Sequence, residues 1–347
     1  MIAAANLIRQ KEQGRLHRAE AKAFWKYPTP LIGNYGSNNR GPVTSIPAFP
    51  ATRGIERPTL AVAASIYGGW VAATWFHALL PGWALAVMGG WLIAWHGSLQ
   101  HETIHGHPTR TPLLNGLLGY APLALWLPYP IYRRSHLAHH RTPHVTDPFE
   151  DPESRYLRRD GSAGALPRVV ARVQATLAGR LLLGPWLTIG HFLLREMRRA
   201  GREPLAALRD WTPHLAAVAV ICGWLRVCGL DPATYILCFV YPGTALSLLR
   251  SYAEHRADPI PGHRVAIVEQ AGPFALLFLH NNLHAAHHRA PGLAWYRLPA
   301  FHRRHREQLL ADNGGLLYRG YGDIARRFLL RPHDALVHPG HCEAPVP

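Results

Sequence analysis

Three clusters of histidine constrain the fold of this chain more than any other feature. The clusters are His101-Glu-Thr-Ile-His105-Gly-His107, His136-Leu-Ala-His139-His140 and His284-Ala-Ala-His287-His288. On a helix, residues three and four apart share one face, so each cluster would direct two or three imidazoles towards one point. This spacing is typical of metal ligands. A fold that uses it has to bring three distant segments of the chain together.

Long apolar segments lie close to the clusters. Residues 59–100 contain no Asp, Glu, Lys or Arg, and a membrane-spanning helix needs about 20 apolar residues. The stretch therefore accommodates two spans, which we predict at 59–79 and 83–101 with a turn at Pro81-Gly82. A second hairpin is predicted at 214–229 and 232–250. We predict an all-α integral membrane protein with four transmembrane helices in two hairpins and a cytoplasmic helical cap that holds a histidine-rich di-metal site.

This architecture divides the chain into three parts. Residues 1–57 are predicted to form a basic N-terminal arm and linker, 58–310 the membrane domain and 311–347 a C-terminal cytoplasmic tail. The stretch after about Arg331 is rich in histidine and proline, and we expect it to be loosely ordered.

The clusters can share a site only if they lie on one side of the membrane. An even number of crossings must then separate them, so the apolar segment 112–132, which contains three prolines after Tyr120, is predicted to be re-entrant or interfacial. Residues 181–194 are short and broken by Gly184-Pro185, which indicates an interfacial helix.

The chain is strongly basic, with a formal net charge of +16. No nucleic-acid-binding motif accompanies that charge, so we exclude a nucleic-acid partner. In a membrane protein, Lys and Arg are retained on the cytoplasmic side. We therefore predict a multi-pass protein of a bacterial-type inner membrane with its active site on the cytoplasmic side. The four cysteines lack C-x-x-C spacing, which excludes a disulfide framework and a cysteine zinc site.

The number of histidines indicates two metal ions. Imidazole nitrogen suits iron, zinc, copper and nickel, and a structural zinc ion takes four ligands, whereas the clusters offer eight or nine histidines. The glutamate-rich pattern of ferritin-like di-iron proteins is absent. Two ions held mainly by neutral nitrogen at the edge of a bilayer favour redox chemistry on a lipid over hydrolysis.

The motifs HETIHGH, HLAHH and HAAHH resemble the three histidine boxes of the membrane fatty acid desaturase and hydroxylase superfamily. The resemblance covers roughly residues 60–300, including both predicted hairpins. It implies two iron ions, O2 as a co-substrate, and oxidation of unactivated C–H bonds in acyl chains, carotenoids or alkanes. It also implies a lipid or fatty acid substrate and a separate electron donor, such as ferredoxin or rubredoxin with its reductase.

Fatty acid desaturation or hydroxylation is the reaction that the resemblance favours. The segment 290–299 is also similar to carotenoid ketolases and to membrane enzymes that decarboxylate fatty acids to terminal alkenes. Carotenoid ketolation or hydroxylation and alkene-forming decarboxylation therefore stay open.

The resemblance implies nine catalytic metal ligands, taken position by position. They are His101, His105, His136, His139, His140, His255, His284, His287 and His288. His255 follows the fourth predicted span, where the family often adds a ligand. His107 and His280 are weaker candidates, since His107 lies two residues from His105 and leaves the shared face. His280 and Asn282 are candidates to orient a ligand.

Acidic residues near the clusters are candidates for orienting ligands. Glu102 and Glu254 each neighbour a proposed ligand, and we expect one of them to contact it. For the acidic segment Asp147–Glu153 we favour a solvated loop. His77 and His96 lie within the first hairpin, where packing or an interfacial position is the expected role.

Two other functions are compatible with parts of the sequence. His101-Glu102-x-x-His105 matches the H-E-x-x-H motif of zinc peptidases, in which the glutamate is a general base. A peptidase leaves two clusters without a purpose, so it is a remote alternative. A metal transporter is also disfavoured, because transport sites interrupt spans and these clusters follow them.

Overall fold

The computed structural model describes residues 54–161 and 163–340 and is mainly helical. Nearly all of the predicted N-terminal arm, together with Cys342, lies outside the described residues.

Helices account for most of the described chain. In chain order they are α1 (Arg57–Trp75), α2 (Gly82–Ile104), α3 (Pro112–Tyr120), α4 (Tyr129–Arg141), α5 (Ala165–Gln174), α6 (Leu177–Leu182), α7 (Gly184–Arg202), α8 (Pro204–Val227), α9 (Pro232–Tyr235), α10 (Tyr241–Glu254), α11 (Phe274–Leu277), α12 (His284–Arg289), α13 (Leu298–Asp312) and α14 (Tyr321–Phe328). A π-helical turn, Ile236–Val240, joins α9 to α10. Strands β1 (Ile267–Val268) and β2 (Leu317–Tyr318) pair in parallel, with Ile267 opposite Leu317.

The first predicted hairpin corresponds to α1 and α2, joined by a 3₁₀ turn at His77–Leu79. Pro58 lies in the first turn of α1, where its missing N–H has no helical partner to lose. Helix α2 continues three residues beyond the predicted end, through Ile104, and so includes His101. It ends before Gly106, whose φ of 94° favours glycine.

The second predicted hairpin corresponds to α8 and to the continuous helix Pro232–Glu254, made of α9, the π turn and α10. Helix α8 begins at Pro204, ten residues before the predicted start. Among the described helices, Pro232–Glu254 alone is long and apolar enough to cross a membrane. A single such helix is weak evidence, since core helices of soluble proteins also have these properties. The four-span topology therefore stays a prediction.

Helix α2 and the helix Pro232–Glu254 cross where both have glycine. A Cβ on Gly243 would lie 2.4 Å from Cβ of Ile93, and one on Gly89 would lie 2.5 Å from the carbonyl oxygen of Cys238. Pro242 cannot donate a helical hydrogen bond to that carbonyl, because proline has no N–H. The close crossing brings the carboxyl ends of both helices, which carry histidines, to the same region of the molecule.

The segment predicted to be re-entrant is interrupted in the structure. Helix α3 ends at Tyr120, residues 121–128 are non-helical, and α4 begins at Tyr129 after Pro128. Residues 181–194 are likewise divided between α6 and α7, and they expose the apolar side chains of Leu182, Leu183 and Trp186. Both segments have the breaks that their prolines and glycines predict.

The segment that follows Arg331 packs against the rest of the described chain as far as Gly340. The expectation that it is loosely ordered is therefore wrong for these residues. His333 and His338 are buried. The backbone N–H of Leu157 donates to the carbonyl of Leu336 at 2.9 Å, and that of His338 donates to the carbonyl of Leu157 at 3.0 Å. The prediction of loose order was based on composition. The number of histidines and prolines in a segment does not show which distant residues the segment packs against.

Candidate metal centre

Nine histidines from four separate segments converge at one end of the helices. His101 and His105 lie at the carboxyl end of α2, and three histidines of the second cluster lie in the last turns of α4. The third cluster forms α12, and His255 follows α10 directly. The residues form two groups, within each of which the candidate ligand atoms all lie within 4.8 Å of one another. The groups are His101, His105, His136, His140 and His287, and His139, His255, His284 and His288.

The group of five is centred on His136. Its Nε2 lies 3.0 Å from Nε2 of His105 and 3.1 Å from Nε2 of His140. Nε2 of His287 lies 3.1 Å from that of His140. His101 packs its ring 4.5 Å from that of His136, measured between centroids. Its Nε2 is buried and has no hydrogen-bond partner among the described residues.

The group of four also has short distances between Nε2 atoms. Nε2 of His284 lies 2.9 Å from Nε2 of His255 and 3.1 Å from Nε2 of His288. Nε2 of His139 lies 3.3 Å from that of His288. The two groups are adjacent, since the rings of His140 and His288 stack with their centroids 4.4 Å apart.

Hydrogen bonds at the outward-facing nitrogens fix how these rings are protonated. Nδ1 of His139 lies 2.9 Å from a carboxylate oxygen of Asp151, and Nδ1 of His255 lies 3.2 Å from the carbonyl oxygen of Arg264. Carbonyl and carboxylate oxygens only accept, so Nδ1 carries the proton in both rings. In the neutral rings, Nε2 then presents a lone pair to the lone pairs of its neighbours. Such an arrangement of lone pairs is suited to binding a shared cation.

The spacing fits metal ions. Nitrogen–nitrogen distances of 2.9 to 3.3 Å are found within the groups. With metal–nitrogen bonds of about 2.1 Å, these distances correspond to angles of roughly 90 to 105° at the metal. The buried, unpartnered Nε2 of His101 is a further free donor. The residues present therefore fit two metal ions.

Burial sets the charge of most of these rings. Desolvation and neighbouring imidazoles hold the pKa of His140 and His288 well below its ordinary value, so both rings are neutral. His139 differs, because Glu153 and Asp151 outweigh burial and raise its pKa to about 9. Burial would raise the pKa of Glu153, but His136 and His139 hold it below the ordinary value.

The acidic loop after the second cluster contacts two of the grouped histidines, so the expectation of a merely solvated loop is wrong for two of its residues. Asp151 is buried and accepts from Nδ1 of His139, and Glu153 lies 3.2 Å from Nδ1 of His136. Contacts of this kind fix the orientation and basicity of metal-binding histidines. The sequence signal was the acidic pair after the cluster, but it does not reveal that the loop folds back onto α4.

The two glutamates beside proposed ligands both face histidines. A carboxylate oxygen of Glu102 lies 3.6 Å from Nδ1 of His101, and one of Glu254 lies 3.4 Å from Nδ1 of His284. Asn281, which no sequence motif singles out, lies with Oδ1 3.1 Å from Nδ1 of His284 and donates to Glu254 at 2.8 Å.

The weaker candidates lie outside both groups. Nδ1 of His107 lies 2.7 Å from a carboxylate oxygen of Glu56, and His280 stacks on Trp295 with ring centroids 5.8 Å apart. The amide of Asn282 donates to the backbone carbonyl of Val268.

The histidines of the first hairpin, for which packing or an interfacial position is expected, belong to neither histidine group. Nδ1 of His77 lies 2.8 Å from the backbone carbonyl of Thr74. Nε2 of His96 lies 3.2 Å from the hydroxyl of Tyr67.

The fold and site define a class of helical proteins in which two adjacent polyhistidine groups are supported by carboxylates. A family model for fatty acid desaturases matches residues 73–321. The match spans more than half of the chain, so this protein belongs to the fatty acid desaturase family, and the resemblance of its three boxes is confirmed. No curated protein matches the chain. The family indicates an oxidoreductase of the desaturase and hydroxylase type, and all nine histidines fall within the matched range.

Proposed function

We propose that this protein is an O2-dependent, membrane-bound di-iron oxidoreductase that desaturates or hydroxylates a lipid acyl chain. The observation that carries the proposal is the pair of buried histidine groups, five and four residues, within the part of the chain matched by the desaturase family. All nine histidines named from the sequence would serve as ligands.

The donor set supports iron. A group of five imidazoles offers more nitrogens than the four ligands of a tetrahedral zinc site. When bound, an iron pair supplies the electron transfer to O2 that allows an unactivated C–H bond to be oxidised. The protein contributes fixed ligand geometry, through Asp151 and Glu153, and exclusion of water, since most of the histidines are buried.

Electron balance supports an external donor. Complete reduction of O2 to water consumes more electrons than oxidation of the acyl chain supplies, and the difference has to come from a reductant. A ferredoxin or rubredoxin with its reductase meets this need.

The position of Glu102 argues against a zinc peptidase. In the H-E-x-x-H mechanism the glutamate acts on a metal-bound water. Here one carboxylate oxygen of Glu102 lies 3.6 Å from Nδ1 of His101, and the other accepts from the backbone N–H of Trp295 at 3.2 Å. The carboxylate therefore contacts the outward-facing nitrogen of its neighbour and leaves the Nε2 side of the ring to the other histidines.

The exposed surface supports membrane insertion. Apolar side chains are exposed on all four helices predicted to span, among them Val71, Trp83, Val220 and Leu237. Trp83 lies about 27 Å along α2 from His101, which approaches the thickness of a bilayer core. Large exposed apolar surfaces of this kind mark contacts with lipid or protein. We propose that the histidines lie at the cytoplasmic face and the substrate chain in the bilayer.

Iron content and product mass test the proposal. Membranes loaded with iron are incubated with a panel of fatty acids, with and without O2, in the presence of a ferredoxin system. Two irons per chain and an O2-dependent product support it. Loss of two hydrogens indicates desaturation, gain of one oxygen indicates hydroxylation, and loss of carbon dioxide indicates decarboxylation. A carotenoid in the panel tests the ketolase alternative. One zinc per chain with activity that persists without O2 would refute the di-iron assignment.

A further inference from the structure

Thr146, directly before the acidic loop, is held in a backbone conformation that threonine rarely adopts. Its φ is 74°, and for a β-branched residue this region is strained. Its N–H donates to Asp151 at 2.7 Å, its carbonyl accepts from Ser154 at 2.6 Å, and its hydroxyl lies 3.1 Å from Nε2 of His338. Strain of this kind persists where the surroundings over-determine it, commonly beside functional sites.

His338 approaches Thr146 from the far end of the chain, and its protonation is defined. Nδ1 accepts from the backbone N–H of Gly340 at 3.0 Å, so Nδ1 is unprotonated. In the neutral ring Nε2 therefore carries the hydrogen and donates to the hydroxyl of Thr146. The ring is 2% exposed. The carbonyl of Gly340 in turn accepts from the buried guanidinium of Arg264 at 3.1 Å.

We propose that His338 is a positioning residue for the metal centre. Four residues form a continuous path in which His338 holds Thr146, Thr146 holds Asp151, and Asp151 holds His139. The inference rests on the proposed function and extends it to the C-terminal segment. That segment lies beyond residue 321, where the family match ends.

The path predicts an unequal effect on the two metal ions. Asp151 supports His139, which is one of four ligands in its group. Glu153 supports His136, one of five in the other group, and lies 34% exposed at the edge of the loop. Displacement of the loop should therefore weaken metal binding by the group of four more than metal binding by the group of five.

Two substitutions of His338 separate its two hydrogen bonds. In His338→Gln the longer amide can still donate to Thr146 but no longer accepts from Gly340. In His338→Asn the shorter amide can accept from Gly340 but does not reach Thr146. We expect the asparagine variant to bind one of two ions up to about 10-fold more weakly than the wild type, the lower end of the loss typical of groups that contact a ligand directly. The glutamine variant should bind both ions as the wild type does.

The measurement uses cobalt(II) alone, titrated into purified metal-free protein against a chelator, with the visible absorption of the bound ion as a second readout. Thermal melting of each variant records folding. His302→Asn is the matched control, because His302 is also a buried histidine but faces Glu269 at 3.0 Å, away from both groups. It should leave both cobalt affinities unchanged.

The threonine provides an independent test. Thr146→Val keeps the shape and removes the hydroxyl, and Thr146→Ser keeps the hydroxyl. We expect the valine variant to behave like His338→Asn and the serine variant to retain both ions.

The inference is overturned if His338→Asn and Thr146→Val bind both ions with wild-type affinity. It is also overturned if the glutamine and asparagine variants lose metal equally in step with a lowered melting temperature, since that pattern indicates packing alone. Failure of the proposed function would give a different experimental result. Wild-type protein would then lack iron-dependent oxidation, while the cobalt titrations would still decide the role of His338.

Discussion

Replacing Asp151 with asparagine removes the negative charge that faces His139 and leaves the side-chain volume almost unchanged. Asp151 accepts three N–H groups. One oxygen accepts from Nδ1 of His139 at 2.9 Å and from the backbone N–H of Glu153 at 2.8 Å, and the other accepts from the backbone N–H of Thr146 at 2.7 Å. Asparagine has a single oxygen, so its NH2 group must face one of these donors.

The expected loss follows from this count. One buried donor left without an acceptor costs about 1–3 kcal/mol. Loss of an outer contact to a metal-binding histidine typically weakens metal binding 10- to 100-fold, which is about 1.4–2.7 kcal/mol. The two estimates agree. We expect this loss in the group that contains His139, and little change in the group of five, whose His136 retains Glu153.

Competition between the protein and a calibrated chelator for iron(II) or cobalt(II) measures both affinities. Glu150→Gln is the matched control, because Glu150 lies on the same loop, is exposed and faces His144 at 2.8 Å, which is in neither histidine group. The control should bind both ions normally. If Asp151→Asn also binds both ions with affinities within about twofold of the wild type, the assigned role of the carboxylate is refuted.

Three further predictions address turnover, packing and pH. His139→Ala should abolish product formation and leave the protein in the membrane fraction, as product analysis and fractionation can show; full activity would remove this residue from the site. Gly243→Val should destabilise the protein by at least about 1–3 kcal/mol, because a Cβ would meet Ile93 at 2.4 Å, whereas the exposed Gly68→Ala, with nothing within 4 Å, should stabilise by about 0.5–1 kcal/mol in melting experiments. The pKa of His139 is raised to about 9, so the metal-free ring is protonated at neutral pH; metal binding should release this proton, and affinity in that group should fall about tenfold for each pH unit below 9, with pH-independent binding between 7 and 9 as the contrary result.

The ligands were the part of the site that the sequence predicted best. Spacing within a helix turn fixes which imidazoles share a face, and that geometry is local. The nine histidines that the resemblance implies, including His255, fall into two compact groups, although the second and third clusters are each divided between the groups. The first hairpin was predicted nearly as well, since a long stretch without charge and a Pro-Gly turn are also local signals.

The contacts that hold the proposed ligands in place were not predictable in the same way. Asp151 meets His139 only because the loop folds back, and His338 meets Thr146 across 192 positions of the chain. The close crossing at Gly243 depends on the partner helix. These contacts depend on tertiary packing, which composition and periodicity do not encode. The same limitation explains why the acidic loop and the C-terminal segment were both predicted to be less structured than they are.

The carboxylates around the site can all compensate the positive charge of bound metal ions. Nine neutral imidazoles contribute no charge, and two divalent ions would bring four positive charges into a buried volume, where uncompensated charge is costly. Four carboxylates lie against ligand histidines: Glu102 with His101, Glu153 with His136, Asp151 with His139 and Glu254 with His284. Together they offset part of that charge without occupying a metal coordination position, although burial raises the pKa of Glu102 and Glu254 to about 7 and Arg250 is paired with Glu254 at 3.1 Å. All-nitrogen ligation is therefore compatible with partial charge compensation, because the acids contact the outward-facing nitrogens of the rings.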